Sequence, residues 1–436
     1  MSDDGAPRTA WLKDARFGLF IHWGIYSVPA RQVGKNSLAE WIKSREQLSD
    51  RDYDLYFDHF DPDLFDPEGW AREAADAGMR YVVVTTKHHD GFCLWDSAFT
   101  RYKAPNTPAG RDLLRPLVEA FRSRGLKVGF YHSLIDWHHP EFPLDGFHPQ
   151  RNDEELKRDA AGRDIAKYRA YLHGQVRELL TGYGRVDYIF FDFSYGPGLR
   201  PEIWGGKGPD EWGSDELLDM VRQLQPGIVV NDRLGLPGDV TTPEQYQPAS
   251  PLPLHGGQSL WEGEQTLNGS WGYDRDNAEW KPPEMLVQML VDGVSKDGNL
   301  LLNVGPTARG ELDDKALELL REIGKWMRRH NGAIYGCGPA PFTAPPDCRY
   351  TSKGNRLFLH VFCWPFGHLH LSGLAGHVQF ARFLHDGSEV QREEVDPAQV
   401  PNTVRMAGLP PGTLTLKLPV RRPDVLVPVI ELFLRD

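Results

Sequence analysis

Cysteine is scarce in this chain. Four occur among 436 residues (Cys93, Cys337, Cys348 and Cys363), far apart and with no Cys-x-x-Cys pair. A disulfide framework and a thiolate zinc site therefore lack support, and free thiols in a reducing compartment are the expectation. Basic charge is short too. Lys and Arg number 49 against 61 Asp and Glu, a formal net charge of -12, whereas a nucleic-acid binder needs the opposite balance. No apolar run approaches a membrane span, which argues against a membrane protein. The opening MSDDGAPRTAWLKDARFG has no apolar signal core, so a cytoplasmic location is expected. No G-x-G-x-x-G turn follows a strand-like run and no H-E-x-x-H occurs, which weakens dinucleotide and zinc-protease readings.

What is present is alternation. Over the first 335 or so residues, short apolar β-rich runs alternate with amphipathic helical patterns, the signature of an α/β fold. FGLFIHWG, YVVVTTKHHDGF, KVGFYHSLIDW, VDYIFFDF, IVVNDR and NLLLNV read as strands. Helices are expected from Pro67, across 111–125 with an interruption at Pro116, across 163–182, over 211–225, after Pro283 and over 312–330. One or two further strands are expected between 240 and 275. A (β/α)8-like (TIM) barrel fits this count and length, and an open doubly wound sheet is the alternative. After GAIYGCGPAPF the helical period stops, and RLFLHVFCW, HLHLSGL, VQFARFLH, TLTLKLP and VPVIELFL alternate like strands of an antiparallel β-sandwich. The expected organisation is a barrel over 1–338 and a C-terminal sandwich over 339–436.

The polar residues fall at strand ends. His22 and Trp23 close the first strand, and His88, His89 and Asp90 the second. Tyr131 and His132 come late in the third, with Asp136, Trp137, His138 and His139 beyond it. Asp192 closes the fourth, and Asn231, Asp232 and Arg233 the fifth. Such residues in register describe a polar bowl on the rim where barrels place their chemistry. Each has a bland alternative: His22 as a satisfied core histidine, or Arg233 as a plain ion-pair partner. The two histidines at 88 and 89 would point to opposite faces if the strand continued through them. WHHP invites a metal reading, but its histidines lack helical or zinc spacing, so no metal and no cofactor are expected.

Glycoside hydrolysis fits the bowl. A retaining enzyme needs an ionised carboxylate and a protonated carboxyl about 5–5.5 Å apart. Asp192, on a rigid strand end with Arg233 and histidines nearby, suits the nucleophile, and Glu244 and Glu262 are the candidate acids. Trp41, Trp261 and Trp271 offer flat faces for a sugar ring.

Several blocks resemble the α-L-fucosidases of glycoside hydrolase family 29. They are WLKDARFGLFIHWGIYSVP, AEW, YVVVTTKHHDGFCLWDS, GFYHSLIDWHHP, DYIFFDFS, VVNDR, WEGEQTLNGSWGY and VSKDGNLLLNVGPTARGELDD. The resemblance spans nearly the whole barrel half and implies an exo-acting, metal-free retaining α-L-fucosidase. It implies Asp192 as nucleophile and places His22, Glu40, Trp41, His88, His89, Tyr131, Arg233 and Trp271 around the sugar. Glu244, 11 residues after Arg233 in TTPEQY, matches one glutamate of the family, and Glu262 in WEGEQ matches another. Two departures fall where the leaving group should lie: the long SYGPGLRPEIWGGKGPDEW and the extra carboxylate Glu264. The expected partner is a fucosylated oligosaccharide or glycoconjugate. A related sugar, or sugar binding without catalysis, is the rival reading.

Overall fold

A computed structural model describes residues 7–31, 38–196, 198, 200–252, 260–394 and 409–435. Seven strands build one parallel sheet: β1 (Phe17–Ile21), β2 (Tyr81–Lys87), β3 (Lys127–Ser133), β4 (Tyr188–Asp192), β5 (Val229–Val230), β6 (Trp261–Thr266) and β7 (Gly298–Val304). Their spatial order is β5-β4-β3-β2-β1-β7-β6. Val, Ile, Leu, Phe and Tyr dominate these runs, and β1, β2, β4 and β7 are buried at every position. A parallel sheet covered on both faces requires that composition. Outside the strands, isolated parallel bridges join Asn231 to Val240, Thr241 to Trp261 and Glu244 to Glu264. A short extended segment thus lies between β5 and β6, the two edges of the sheet.

Register sets the rim. Ile21 pairs with Val84 and with Val304, Ser133 with Asp192, and Thr266 with Asn303. The polar residues after these positions therefore emerge at one level.

Local chemistry explains the helices. In helix Pro67–Asp76, Asp66 accepts the Gly69 amide at 2.9 Å and Pro67 starts the first turn. The expected interruption at Pro116 is corrected: helix Leu114–Ser123 begins two residues before it. Pro116 thus occupies the first turn, where a missing N–H removes no intrahelical bond. The helix expected over 211–225 is two, Pro209–Trp212 and Ser214–Leu224, hinged at Gly213 with φ 59°.

The C-terminal part contains β8 (Cys348–Lys353), β9 (Arg356–Val361), β10 (His368–Leu371), β11 (Val378–Phe383), β12 (Gln391–Glu393), β13 (Leu414–Lys417) and β14 (Val429–Leu434). They form two antiparallel sheets, β10-β13-β12 and β11-β14-β9-β8. Leu357, Leu359, Leu371, Leu414, Leu416 and Ile430 from both sheets share one apolar cluster. This part rests on helix Asp314–His330, where the Trp326 indole donates to the Val427 carbonyl at 2.8 Å. Residue 436 and residues 395–408, which the expected sandwich includes, lie outside the described residues. Among the described residues no helix is long and apolar enough to cross a membrane, and the four cysteines are free.

Candidate active site

The strand ends of the parallel sheet converge on one pocket. It is lined by His22, Glu40, Trp41, His88, His89, Tyr131, Asp192, Arg233, Glu244 and Trp271, together with Phe20, Phe190, Phe193 and Glu264. The first ten were marked from sequence. Glu262 is not among them. A larger groove of about 700 Å³ runs between helix Asp314–His330 and residues 421–426, and contains none of the marked residues.

Asp192 is the last residue of β4. Its Oδ2 accepts the Tyr131 hydroxyl at 2.8 Å, and its Oδ1 accepts Arg233 Nη1 at 3.0 Å. The same Nη1 donates to Glu244 Oε2 at 2.9 Å, while Nη2 donates to Glu264 Oε2 at 2.9 Å. Thr242 steadies the guanidinium through its hydroxyl (3.1 Å) and carbonyl (3.0 Å). One cation therefore serves three carboxyl groups. Burial works against the Arg233 charge, but Glu264, Asp192 and Glu244 outweigh it and push its pKa far above the ordinary range.

The three carboxyl groups differ in surroundings. Asp192 is nearly buried, with a side-chain exposure of 12% against 42% for Glu244. Glu244 sits at the pocket mouth, where its Oε1 accepts the Trp271 indole N–H at 3.1 Å. Glu264 is buried, and its second oxygen has no hydrogen-bond partner among the described residues. Burial raises its pKa well above the carboxylate range, with Arg233 opposing. Glu40 is pushed up to about 7 by burial, although the Gly272 amide donates to it at 2.9 Å.

The histidines are neutral at neutral pH. Burial lowers His22 and His89 to about 3, and His88 well below its ordinary value. His88 and His89 share the pocket because β2 ends at Lys87, one residue before them. Their ring centroids lie 4.1 Å apart. His88 stacks on Tyr131 with planes 7° apart, and His89 Nε2 stands 3.8 Å from Asp192 Oδ2.

Directly after Asp192, Phe193 adopts φ 78°, a conformation costly for a bulky side chain. The turn sets its ring against Trp41 (5.1 Å) and His89 (4.9 Å). Strain beside a candidate nucleophile is thus offset by aromatic packing.

Other marked residues are elsewhere. Glu262 sits within β6, fully buried, accepting the Tyr81 hydroxyl with Tyr188 beside it, and burial raises its pKa to about 7. Trp261, offered above as a sugar face, is buried and donates its indole N–H to the Lys296 carbonyl at 3.0 Å. Asp136 is buried against Lys87 (3.3 Å) and Tyr171 (3.0 Å), and His138 stacks on Tyr102. Asn231 clamps the backbone of Phe191 through both its side-chain atoms, at 2.9 and 2.8 Å.

In the sequence Glu264 stands out only as an extra carboxylate. Its spacing from Glu262 was the available signal, since alternate strand residues share a face. Among the described residues no group of three or more His, Cys, Asp or Glu is placed to hold a metal ion.

Comparison with known proteins gives a consistent result. A family model described as Alpha-L-fucosidase matches residues 1–332. The chain is 31% identical to the tissue alpha-L-fucosidase of Homo sapiens over 393 residues, covering 83% of this chain and 77% of that one. It is 32% identical to the plasma alpha-L-fucosidase of Rattus norvegicus over 397 residues, covering 83% and 79%. Its fold is similar to alpha-L-fucosidase isoenzyme 1 from Paenibacillus thiaminolyticus, with TM-score 0.89, 44% identity, and coverage of 98% and 99%. It is also similar to a GH29 alpha-L-fucosidase from Bacteroides thetaiotaomicron, trapped as a covalent intermediate in complex with 2-fluoro-fucosyl fluoride. That match has TM-score 0.83, 28% identity, and coverage of 100% and 98%.

Proposed function

The chain belongs to the α-L-fucosidase family, glycoside hydrolase family 29, and on that footing we propose that it removes terminal α-L-fucose from glycans by retaining double displacement. Asp192 attacks the anomeric carbon, and Glu244 protonates the departing glycosidic oxygen. Glu244 then takes a proton from water as that water releases fucose from the covalent ester.

One observation carries the assignment. Asp192 and Glu244 accept hydrogen bonds from the same guanidinium nitrogen, at 3.0 and 2.9 Å. Their accepting oxygens are therefore no more than about 6 Å apart, compatible with the carboxyl spacing of retaining glycosidases. The difference in exposure supports the division of labour: the sheltered group reacts with the sugar, and the open one serves the leaving group and water. Glu262 does not compete in this reading, because it is buried against tyrosine away from the pocket.

His22, His88, His89, Glu40, Tyr131 and Arg233 hold the sugar hydroxyls and the reacting carboxylates, with Trp41 and Trp271 as apolar walls. We read the parallel sheet as a (β/α)8-like barrel in which 240–244 is the irregular eighth member, bringing Glu244 to the rim. The C-terminal sheets are read as a β-sandwich, with the boundary at 338/339.

The test is turnover of aryl α-L-fucosides by wild type, Glu244→Ala and Glu262→Ala with good and poor leaving groups. Glu244→Ala should lose about 100-fold or more on the poor leaving group and far less on the good one. An equal loss on both, or that selective loss in Glu262→Ala, removes Glu244 as the acid.

A further inference from the structure

His22 is held from behind by a residue that leaves it one protonation pattern. Asn303, in β7 and nearly fully buried, donates its Nδ2 hydrogen to the Trp271 carbonyl at 2.7 Å. A carbonyl only accepts, so that contact settles which end of the amide faces Trp271. The other end, Oδ1, then faces His22 Nδ1 at 2.7 Å. An amide oxygen also only accepts, so Nδ1 must carry the ring hydrogen. In a neutral imidazole this leaves Nε2 bare. Nε2 makes no hydrogen bond with the described residues, on a ring that lines the pocket.

The neighbouring histidines are held differently. His89 Nδ1 lies 2.6 Å from the Ser133 hydroxyl, whose own hydrogen goes to the Ile135 carbonyl at 2.8 Å, so the serine accepts from the ring. His88 Nδ1 has no hydrogen-bond partner among the described residues.

We infer that Asn303 is a positioning residue that commits His22 to present a bare acceptor nitrogen, so that the pocket selects sugars bearing a hydroxyl hydrogen at that point. The inference rests on the fucosidase reading for the identity of the ligand, but not for the ring's protonation pattern. A sugar lacking that hydroxyl would leave Nε2 buried without a donor, and buried unsatisfied sites reject analogues strongly.

Two measurements test it. The first is nitrogen NMR of the histidine-labelled wild type, with the His22 signals identified by their loss in His22→Gln. The expected pattern is a protonated Nδ1 and a bare Nε2. A protonated Nε2 on His22 in the wild type overturns the inference, whatever the activity.

The second compares a complete monodeoxy series of aryl α-L-fucosides in wild type and Asn303→Leu. In the wild type, one deoxy position should cost about 100-fold or more in kcat/KM. Replacing that same hydroxyl by fluorine, which accepts but cannot donate, should cost the wild type about as much, whereas in Asn303→Leu the fluorine penalty should shrink to about 10-fold or less, because the ring can then turn an N–H toward the pocket. A merely structural role for Asn303 would lower every substrate alike, and equal fluorine penalties in both proteins overturn the inference. If Asn303→Leu does not fold, the wild-type NMR result decides alone. If the wild type hydrolyses no aryl α-L-fucoside, the fucosidase reading fails, while the NMR result still reports on the tautomer.

Discussion

Two acidic regions lie close together in this molecule and are built on different principles. At the strand ends, Asp192, Glu244 and Glu264 share the guanidinium of Arg233. Within the sheet, two residues from Glu264, Glu262 has tyrosine partners and, among the described residues, no ion-pair partner. Burial alone drives a carboxyl toward its neutral form, and pKa about 7 for Glu262 reflects that. A cation opposes that push: Arg233 works to lower the pKa of Glu264, although burial still holds it well above the carboxylate range. The pocket thus pairs its carboxyl groups with a cation, whereas the interior of β6 offers Glu262 a hydrogen bond from tyrosine.

Substitutions break or sharpen this contrast, and the largest effect belongs to the nucleophile. Asp192→Gly should lower kcat/KM on aryl α-L-fucosides by about 10^4-fold or more, read by steady-state kinetics. Arg233→Leu follows, since it leaves three carboxyl groups without their shared cation. Removing one partner of a buried ionic cluster costs about 3–5 kcal/mol, read in denaturant unfolding. A loss below about 1 kcal/mol would show that the cluster does not depend on its cation.

Glu262 gives a pH signature instead. Its folded pKa, about 7, lies above the unfolded value of 4.5. The folded state thus holds a proton that the unfolded state releases, and this contribution is full below about pH 4.5 and lost as pH rises through about 7. Wild-type stability relative to Glu262→Gln should fall by about 2–3 kcal/mol between pH 4.5 and 8. A pH-independent difference would mean that Glu262 is ionised throughout. The smallest effect is on catalysis: Glu262→Gln at neutral pH should keep kcat/KM within about threefold, because the group lies outside the pocket.

The same contrast explains what the sequence could and could not reveal. Strands β1 to β4 and β7 were legible because burial on both faces demands unbroken apolar runs. β5, although only two residues long, is legible in IVVNDR, whereas the 240–244 segment joins the sheet edges through isolated bridges and leaves no hydrophobic signature. β8 was missed because CRYTSK is polar enough to read as a loop, although Cys348 and Tyr350 point into the sheet cluster.

In the site, Asp192 and the paired histidines announced themselves as polar residues ending apolar runs. The convergence of three carboxyl groups on Arg233 did not, because residues 192, 233, 244 and 264 meet only through the curl of the sheet. Trp261 was misread for a related reason. Composition marks a tryptophan as a possible sugar platform, but only packing shows that its indole is spent on the Lys296 carbonyl. Asn303 lay hidden inside an otherwise apolar strand, where its partners on the histidine and the Trp271 carbonyl are invisible without coordinates.

The most direct test of the central claim is chemical rescue of Asp192→Gly on an aryl α-L-fucoside with a good leaving group. Azide should enter the space left by the carboxylate, restore turnover and yield the β-fucosyl azide, the product of a single displacement at the face Asp192 occupies. Near-wild-type activity without azide, or no rescue by azide in a folded variant, would contradict Asp192 as the nucleophile.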